Sequence, residues 1–192
     1  MKPENAKFLA DFLLATCERE YPTTRKVLAA IPEAKRDYRP DPRSRTALEL
    51  AWHIAHSEVW FAEGVARGEF QPEEESKPAQ IQTVADVLTY YDQHFPAAVA
   101  KVKTLSAEKL AQKVPFYGVL DEPAVTYLSF LNSHTAHHRG QLAAYLRPMG
   151  SKVPNIYGGS ATNPGSRPPR PSLSGGREPA GRYSCRWRQR TA

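Results

Sequence analysis

Long apolar runs and cysteine are the two features that this sequence has least of. No stretch reaches the roughly 18 to 20 consecutive apolar residues that would span a bilayer, and the early run from Phe8 to Leu14 is interrupted by Asp11. Its two cysteines, Cys17 and Cys185, are too few to build the disulfide framework of a secreted protein. We therefore expect a soluble protein of the reducing cytoplasm, with no membrane partner.

Positive charge is unevenly spread along the chain. The 192 residues carry a formal net charge of +6, yet residues 161–192 hold seven arginines and a single acid, Glu178. Residues 1–160 therefore contain 19 basic and 19 acidic residues and have no net field with which to attract phosphate. We expect no nucleic acid to bind residues 1–160, so any affinity for polyanions must come from the tail.

Composition divides the chain at about residue 160. A hydrophobic content of 41% is enough for one compact core. Residues 161–192 are dominated by Arg, Pro, Gly and Ser, and they cannot bury enough apolar surface to offset the entropy of ordering. We predict one domain over residues 1–160 and a disordered tail over residues 161–192. The abrupt change in composition also suggests a frame-shifted, non-native C-terminus, a hypothesis that the coding DNA would test.

The amino-terminal segment predicts a helix with one apolar face. Pro22 interrupts its pattern, which resumes at Val27, so we expect a kink or a restart there. The proline-rich stretch 32–45 is typical of a loop. Six residues at spacings of one, three and four form the stripe that we expect to face the core: Phe8, Leu9, Phe12, Leu13, Thr16 and Cys17.

Three further main helices follow, each with a start or a stop signal. Ser44 or Thr46 can cap a second helix, which Gly68 would end. Thr83 can cap a third, and a last helix is expected over residues 122–147. No segment alternates apolar and polar residues over the length of a strand, so the sequence predicts no sheet. The expected fold is all-α, a four-helix bundle.

Histidine supplies the one clear chemical signal. Five of the six histidines lie in two segments predicted to be helical, WHIAH at 52–56 and HTAHH at 134–138. His134 and His138 are four residues apart, so they lie on the same helix face and can converge on one ion. His137 is displaced to the flank of that face.

The WHIAH segment offers a third ligand in His53. Imidazoles from two helices give three neutral nitrogen ligands, and a three-histidine zinc site keeps a fourth position open for water or substrate. His53 shares its helix face with Glu49 and Trp60, a mixture that suits the wall of a pocket. Two alternatives remain open: His56, one turn away, can replace His53, and an HxxxH pair taken alone is more often structural than metal-binding.

Two segments resemble a known family. ALELAWHIAHSEVWF (47–61) and NSHTAHHRGQLAAYLRPMGSKVPNIYG (132–158) are similar in order and separation to the motifs of the DinB/YfiT-like metalloenzymes, over about residues 7–160. The resemblance implies a four-helix bundle, commonly a homodimer. Its metal triad would fall on His53, His134 and His138, with zinc or nickel as the metal. Gly140, expected to let the helix approach a neighbour, and Gln141, expected to hydrogen-bond near the metal, complete the second motif.

The resemblance also implies a class of reaction. Family members with assigned activities resemble metal-dependent transferases or isomerases that use a low-molecular-weight thiol. We therefore expect a metal that lowers the pKa of a bound thiol or water, with a small molecule as substrate. Metal-assisted hydrolysis is the close variant, for which Glu49 is a candidate base. The alternatives are a non-catalytic metal or small-ligand binding bundle, and nucleic-acid binding through the basic tail.

Overall fold

The computed structural model describes residues 1–72, 76–160 and 162–163. The predicted tail, apart from Thr162 and Asn163, lies outside the described residues. A 3-10 turn, Glu33–Lys35, lies between the first two helices. The elements of the described part are α1 (Pro3–Ala29), α2 (Ala47–Arg67), α3 (Val84–Lys103), α4 (Ala107–Ala111), β1 (Lys113–Phe116), β2 (Leu120–Pro123) and α5 (Thr126–Leu146).

The four long helices form the predicted bundle. Helix α2 packs against α3 and α5, and α1 packs against α3, α5 and the short α4. Contacts of α1 with α5 advance together along both helices, from Cys17 with Asn132 to Thr24 with Arg139, so these two helices run parallel. The all-α four-helix bundle is confirmed. Within the described ranges, no helix is long and apolar enough to cross a membrane.

Two threonines start the helices that the sequence assigned to them. The Thr46 hydroxyl accepts a hydrogen bond from the Glu49 backbone N–H at 3.1 Å, and the Glu49 carboxylate accepts one from the Thr46 backbone N–H at 2.7 Å. Thr83 and Asp86 form the same reciprocal capping box at the start of α3. Gly68 ends α2 with a φ of 77°, a left-handed conformation that glycine adopts without strain.

The face of α1 that packs on the core differs from the predicted one. Phe8 is 72% exposed and Phe12 is 60% exposed, so the expected apolar stripe was wrong at its amino-terminal end. Small residues fill the core there, with Ala6 and Ala10 fully buried. A helix that presents alanine can approach its neighbours closely, which turns the bulky side chains outward. Pro22 does not split α1, since the helix continues through it.

A short hairpin corrects the prediction that no sheet would form. Strands β1 and β2 pair antiparallel, with Phe116 opposite Leu120. Tyr117 and Gly118 turn the chain with φ values of 50° and 69°. Each strand has only four residues, including a proline, which is too short for the alternating pattern to show in the sequence. Because β2 takes residues 120–123, α5 begins at Thr126 rather than at residue 122.

Candidate metal centre

Helices α2 and α5 bring three histidines together. The ring nitrogens that His53, His134 and His138 offer all lie within 4.8 Å of one another. The Nε2 atoms of His53 and His134 are 3.1 Å apart, and the centroids of the His134 and His138 rings are separated by 4.4 Å. Among the residues that the structure describes, these three form the group of His, Cys, Asp and Glu side chains able to hold a metal ion.

Neighbouring side chains orient two of the three imidazoles. Gln141 Oε1 lies 3.0 Å from His138 Nδ1, and Ser57 Oγ lies 3.4 Å from His53 Nδ1. An Nδ1–H that donates to Gln141 leaves Nε2 of His138 as the lone-pair nitrogen that faces the other ligands. Outer contacts of this kind fix the tautomer and the ring plane of metal-binding histidines. Gln141 thus contacts a ligand of the predicted site directly.

The surroundings lower the pKa of two of the imidazoles. Burial lowers the pKa of His53 to about 3, and the charge of Arg45 and the electrostatic interaction with His134 and His138 act in the same direction. Burial also lowers the pKa of His138, whereas the hydrogen bond that His138 donates to Gln141 Oε1 acts in the opposite direction. Metals bind the neutral ring, so proton competition for His53 is weak at neutral pH.

The remaining histidines of the two motifs lie elsewhere. His56, the alternative third ligand, stacks on Trp52 with ring centroids 5.0 Å apart and faces Tyr90. His137 is exposed on the flank of α5, beside the His138 ring. The structure therefore brings His53, and not His56, to the pair on α5.

Glu49, the candidate base, is part of the capping box of α2. Hydrogen bonds with Thr46 and the nearby charges of Arg39 and Lys77 lower its carboxyl pKa, although burial opposes them. A lowered pKa makes the carboxylate a weaker proton acceptor. Glu49 caps the start of α2 through its hydrogen bond with Thr46, whereas its role as a base stays a prediction.

An aromatic pocket opens on the histidines. This cavity of about 360 Å³ has His53 and His134 in its wall together with Ser57 and Pro72. The rest of its lining is aromatic, from α2 and from the hairpin: Trp60, Phe61, Phe116 and Tyr117. Phe61 lies against the His134 ring, with centroids 5.9 Å apart. A small apolar or aromatic substrate fits such a lining, and its polar end would reach the imidazoles.

A polar network lies in the core behind the site. Glu58 is 3% exposed, and Tyr91 donates a hydrogen bond of 2.6 Å to its Oε2. Burial raises the pKa of Glu58 to about 7, against the hydrogen bond from Tyr91 and the charge of Arg139. Arg139, 1% exposed, forms an ion pair with Glu20. Arg139 belongs to the HRGQL motif, where it supports the helix that carries two ligands.

The donor set fits a divalent metal with an open position. Imidazole ligands suit zinc and nickel among other divalent metals, and three protein ligands leave room for an exogenous group. Gly140, the other motif residue, has open space around it, because a Cβ there would meet no other atom within 4 Å. The expected close approach of a neighbouring helix at Gly140 is therefore not seen among the described residues.

Comparison with known proteins identifies the family. The model of the DinB family matches residues 5–168, which is most of the chain. The chain belongs to the DinB family. Two relatives from Bacillus subtilis (strain 168) are similar to this DinB-family protein. YrdA is 29% identical over 150 aligned residues, which cover 77% of this chain and 87% of YrdA. YjoA is 28% identical over 131 residues, or 66% of this chain and 82% of YjoA.

Solved structures of DinB-like proteins share the architecture. The protein from Bacillus cereus ATCC 10987 superposes with a TM-score of 0.65 at 22% identity, covering 76% of this chain and 95% of that one. YjoA from Bacillus subtilis superposes with a TM-score of 0.58 at 22% identity. The match covers 77% of this chain and 96% of the YjoA chain. At this level of identity, the likeness concerns the fold.

Two parts of the site had no clear sequence signal. Phe116 and Tyr117 line the aromatic pocket from the hairpin. The periodicity of apolar residues did not predict this hairpin, and the Tyr-Gly pair at 117–118 was the available turn signal. Arg45 acts on the triad from the residue before the capping threonine, through its charge. Because that effect depends on the distance between α2 and the loop before it, sequence alone does not reveal it.

Proposed function

We propose that this DinB-family protein is a metal-dependent transferase that joins a low-molecular-weight thiol to a small electrophilic substrate. The observation that carries the proposal is the convergence of three imidazoles, His53, His134 and His138, two of which, His53 and His134, lie in the wall of the aromatic pocket. Such a set holds one divalent ion, zinc or nickel, and leaves a coordination position for the thiol.

Each group has a distinct task in the proposed reaction. A divalent ion held by the three histidines would supply Lewis acidity, which lowers the pKa of a nearby thiol. The histidines hold the ion, while Gln141 and Ser57 keep two rings in place. The aromatic pocket excludes water and positions the electrophile. The thiol proton leaves to solvent, the sulfur forms a bond to the electrophilic carbon, and the leaving group departs with its electron pair.

Two observations favour thiol transfer over hydrolysis. Glu49 is committed to the helix cap, and its lowered pKa weakens it as the base that a hydrolase would use. The pocket beside the triad is lined mainly by aromatic rings, which displace water rather than position it. The protein's own described thiol, Cys17, is buried away from the site, so the thiol must come from outside. Small thiols stay reduced in the cytoplasm, where we place the protein.

Metal content tests the site. We expect about one ion per full-length chain after loading with zinc or nickel, and little in the His134→Ala, His138→Ala double variant. His137→Ala is the matched control, since it removes an exposed imidazole from the same helix. Equal metal in all three proteins, or none in the parent, would overturn the metal site.

A conjugation assay then tests catalysis. Zinc- and nickel-loaded protein is mixed with chlorodinitrobenzene and, in turn, glutathione, cysteine and coenzyme A, and formation of the aryl thioether is followed by absorbance. We expect a rate above background that is lost in the double variant and retained in His137→Ala. A metal-loaded parent that gives no rate with any thiol would support the non-catalytic metal-binding bundle instead.

We further propose that the protein is a homodimer joined through α1 and α5, which are neighbours in the bundle. Phe8 and Phe12 on α1 are exposed, a placement that is costly for a monomer. The exposed positions of α5 include a row of small residues on which aromatic rings of a second copy can lie flat: Ser129, Ser133, Ala136, Gly140 and Ala144. A twofold axis would then bury both features in each copy.

A further inference from the structure

A phenylalanine ring packs directly on the backbone of α2, behind the wall of the aromatic pocket. Gly64 is buried on α2, and a Cβ added to it would lie 2.5 Å from Cδ1 of Phe70 and 3.1 Å from Cζ. Non-bonded carbon atoms attract at about 3.5 to 4.0 Å and repel strongly at shorter range. Phe70 therefore holds its position only because residue 64 has no side chain.

Four aromatic rings surround Phe70. Its ring centroid lies 5.0 Å from that of Trp60, 5.1 Å from that of Phe116 and 6.1 Å from that of Phe61. These three neighbours line the aromatic pocket. Tyr127 of α5 is the fourth neighbour, at 4.7 Å. Phe70 therefore supports the pocket wall from behind and joins α2, the hairpin and α5.

The rings in the wall suit a flat ligand. They form two nearly parallel pairs, each with one ring from α2 and one from the hairpin. The planes of Trp60 and Tyr117 are inclined by 6°, and those of Phe61 and Phe116 by 3°. The faces of aromatic rings carry partial negative charge, so they stack most favourably on an electron-poor ring. A flat, electron-poor aromatic ring matches this wall in shape and in charge.

The size of the pocket restricts what it can hold. Small-molecule pockets range from about 300 to 1,000 Å³, and the aromatic pocket, at about 360 Å³, lies near the lower end. Because Phe70 fills the space between Gly64 and the wall, the wall rings cannot retreat to admit a second fused ring. A shorter side chain at position 70 would leave a space into which they can move.

We propose that Phe70, packed on Gly64, is a positioning residue that sets the depth of the aromatic pocket and restricts it to a ligand with one flat, electron-poor ring. Ring binding follows from the pocket and requires no metal. That the bound ring is the electrophile of the transferase reaction rests on the proposed function. Every contact named for Phe70 joins described residues, so none depends on residues 73–75, which lie outside the described part of the chain.

Ring selectivity is measured on the full-length, metal-free protein in the absence of thiol. Meta-dinitrobenzene and dinitronaphthalene are titrated in turn. The indole N–H of Trp60, which donates to the Gln71 carbonyl at 3.2 Å, is followed by ¹⁵N NMR after assignment with Trp60→Phe. We expect a saturable shift and about tenfold tighter binding of the one-ring ligand. No saturable shift with dinitrobenzene, or equal or tighter binding of dinitronaphthalene, would overturn the proposal.

Shortening the side chain of residue 70 should change this selectivity. In Phe70→Leu, and more strongly in Phe70→Ala, we expect dinitronaphthalene to bind about tenfold more tightly than it binds the parent, because the wall rings can retreat. Dinitrobenzene should bind more weakly. Phe70→Leu decides the question if Phe70→Ala does not fold.

A second phenylalanine controls for lost stability. Phe95 is buried and packs against Tyr21 and Tyr91, so Phe95→Leu removes a core ring outside the pocket lining and should keep the selectivity of the parent. Unchanged selectivity in the Phe70 variants, or a parallel loss of affinity for both ligands, would contradict the proposal, because Phe70 would then serve stability alone.

Gly64→Ala tests the same contact from the other side. Alanine is the better helix former, so helix propensity alone favours this change. Its methyl group forces the Phe70 ring either into the wall or out of its position, and we expect dinitrobenzene to bind about tenfold more weakly. The Gly64→Ala, Phe70→Leu variant should bind as Phe70→Leu does, because the shorter, rotatable leucine can clear the methyl group.

Another glycine provides the control for Gly64→Ala. Gly158→Ala adds the same methyl group where a Cβ meets no other described atom within 4 Å, so it should bind as the parent does. Parental binding by Gly64→Ala, or a double variant that stays as weak as Gly64→Ala, would show that the contact between Gly64 and Phe70 does not set the pocket.

The link to the proposed function has its own readout. In the conjugation assay, Phe70→Leu should raise KM for chlorodinitrobenzene and lower KM for chlorodinitronaphthalene, while kcat stays close to the parent value because the triad is unchanged. Ring selectivity without conjugation by any thiol would remove the transferase and leave the role of Phe70 standing. Conjugation with parental ring selectivity in the Phe70 variants would remove the role of Phe70 alone.

Discussion

Glu58 shows how one side chain can connect the core with the ligand-bearing helix. It lies on α2 beneath the histidines, and its Oε2 accepts a hydrogen bond from Tyr91 of α3. Burial disfavours the charged carboxylate and raises the pKa of Glu58 to about 7, against the opposing effect of hydrogen bonds from Tyr91 and Thr135.

The raised pKa predicts a pH-dependent cost of burying Glu58. Between about pH 4.5 and pH 7 the unfolded carboxyl is ionised while the folded one keeps its proton, so the stability contributed by Glu58 falls as pH rises through this window. Glu58→Gln removes this cost, and its stability relative to the parent should grow by on the order of 3 kcal/mol across the window. Chemical denaturation at several pH values, with chelator present, measures the difference.

The difference in stability between Glu58→Gln and the parent is unaffected by His53, whose contribution changes with pH in the opposite direction. The lowered pKa of His53 makes the protein less stable as pH falls below about 6.5, and this contribution is common to both proteins. Glu63→Gln, on the same helix but in a surface ion pair with Lys101, should follow the parent at every pH. A difference in the free energy of unfolding between Glu58→Gln and the parent that stays constant with pH would contradict a buried, protonated carboxyl.

Cys17 should be an inert thiol. It is 2% exposed, and burial together with the negative charge of Glu58 raises its pKa to about 12. In a Cys185→Ser variant, Cys17 is the sole thiol, and it should not react with Ellman's reagent at pH 8 until guanidinium unfolds the chain. Rapid reaction of the native protein would show that α1 opens locally, contrary to the packing of α1 against α5.

Helix starts can be compared at the scale of elements. Thr46→Ala and Thr83→Ala each remove the same type of capping box, so each should cost about 1 kcal/mol in the free energy of unfolding. His53 lies about two turns from the start of α2. Of the two helices compared, α2 alone carries a candidate ligand, so we expect Thr46→Ala, and not Thr83→Ala, to weaken zinc binding in a competition titration. Equal affinities in the two variants would mean that fraying at the cap does not reach His53.

The elements that sequence predicted correctly were those with local signals. Threonine caps, the glycine stop at Gly68 and the HxxxH spacing depend on neighbours within a turn or two, so they can be seen in the chain itself. The hairpin was missed because its strands are too short for a period to emerge. The stripe of α1 was misassigned because hydrophobicity ranks Phe8 above Ala6, whereas close helix packing selects the smaller side chain.

Some features of the candidate site follow from local sequence, and others depend on tertiary packing. The positions of His134 and His138 follow from helix geometry, while the choice of His53 over His56 depends on how α2 is rotated against α5. The family resemblance implied His53, and in the structure a ring nitrogen of His53 lies within 4.8 Å of those of His134 and His138. The charge of Arg45 and the aromatic wall from the hairpin are tertiary effects, and local periodicity carries no information about them.

At the scale of the whole molecule, the exposed aromatic rings of α1 predict the oligomeric state. Phe8→Glu, Phe12→Glu should convert a dimer into a monomer in sedimentation equilibrium, because charge placed at the centre of an apolar contact is costly to bury. Val119→Glu changes an exposed apolar residue on the hairpin instead and should leave the dimer intact. A parent that is monomeric at high concentration would contradict the dimer.

The two halves of the triad come from helices far apart in the chain, since His53 and His134 are separated by 81 residues. An ion held by both would bind the native arrangement and not the unfolded chain, so it would stabilise the fold by mass action. The intervening segment, which includes α3 and the hairpin, would then open less often to proteases. A cell that limits its supply of free metal would shorten the lifetime of the protein as well as empty its site.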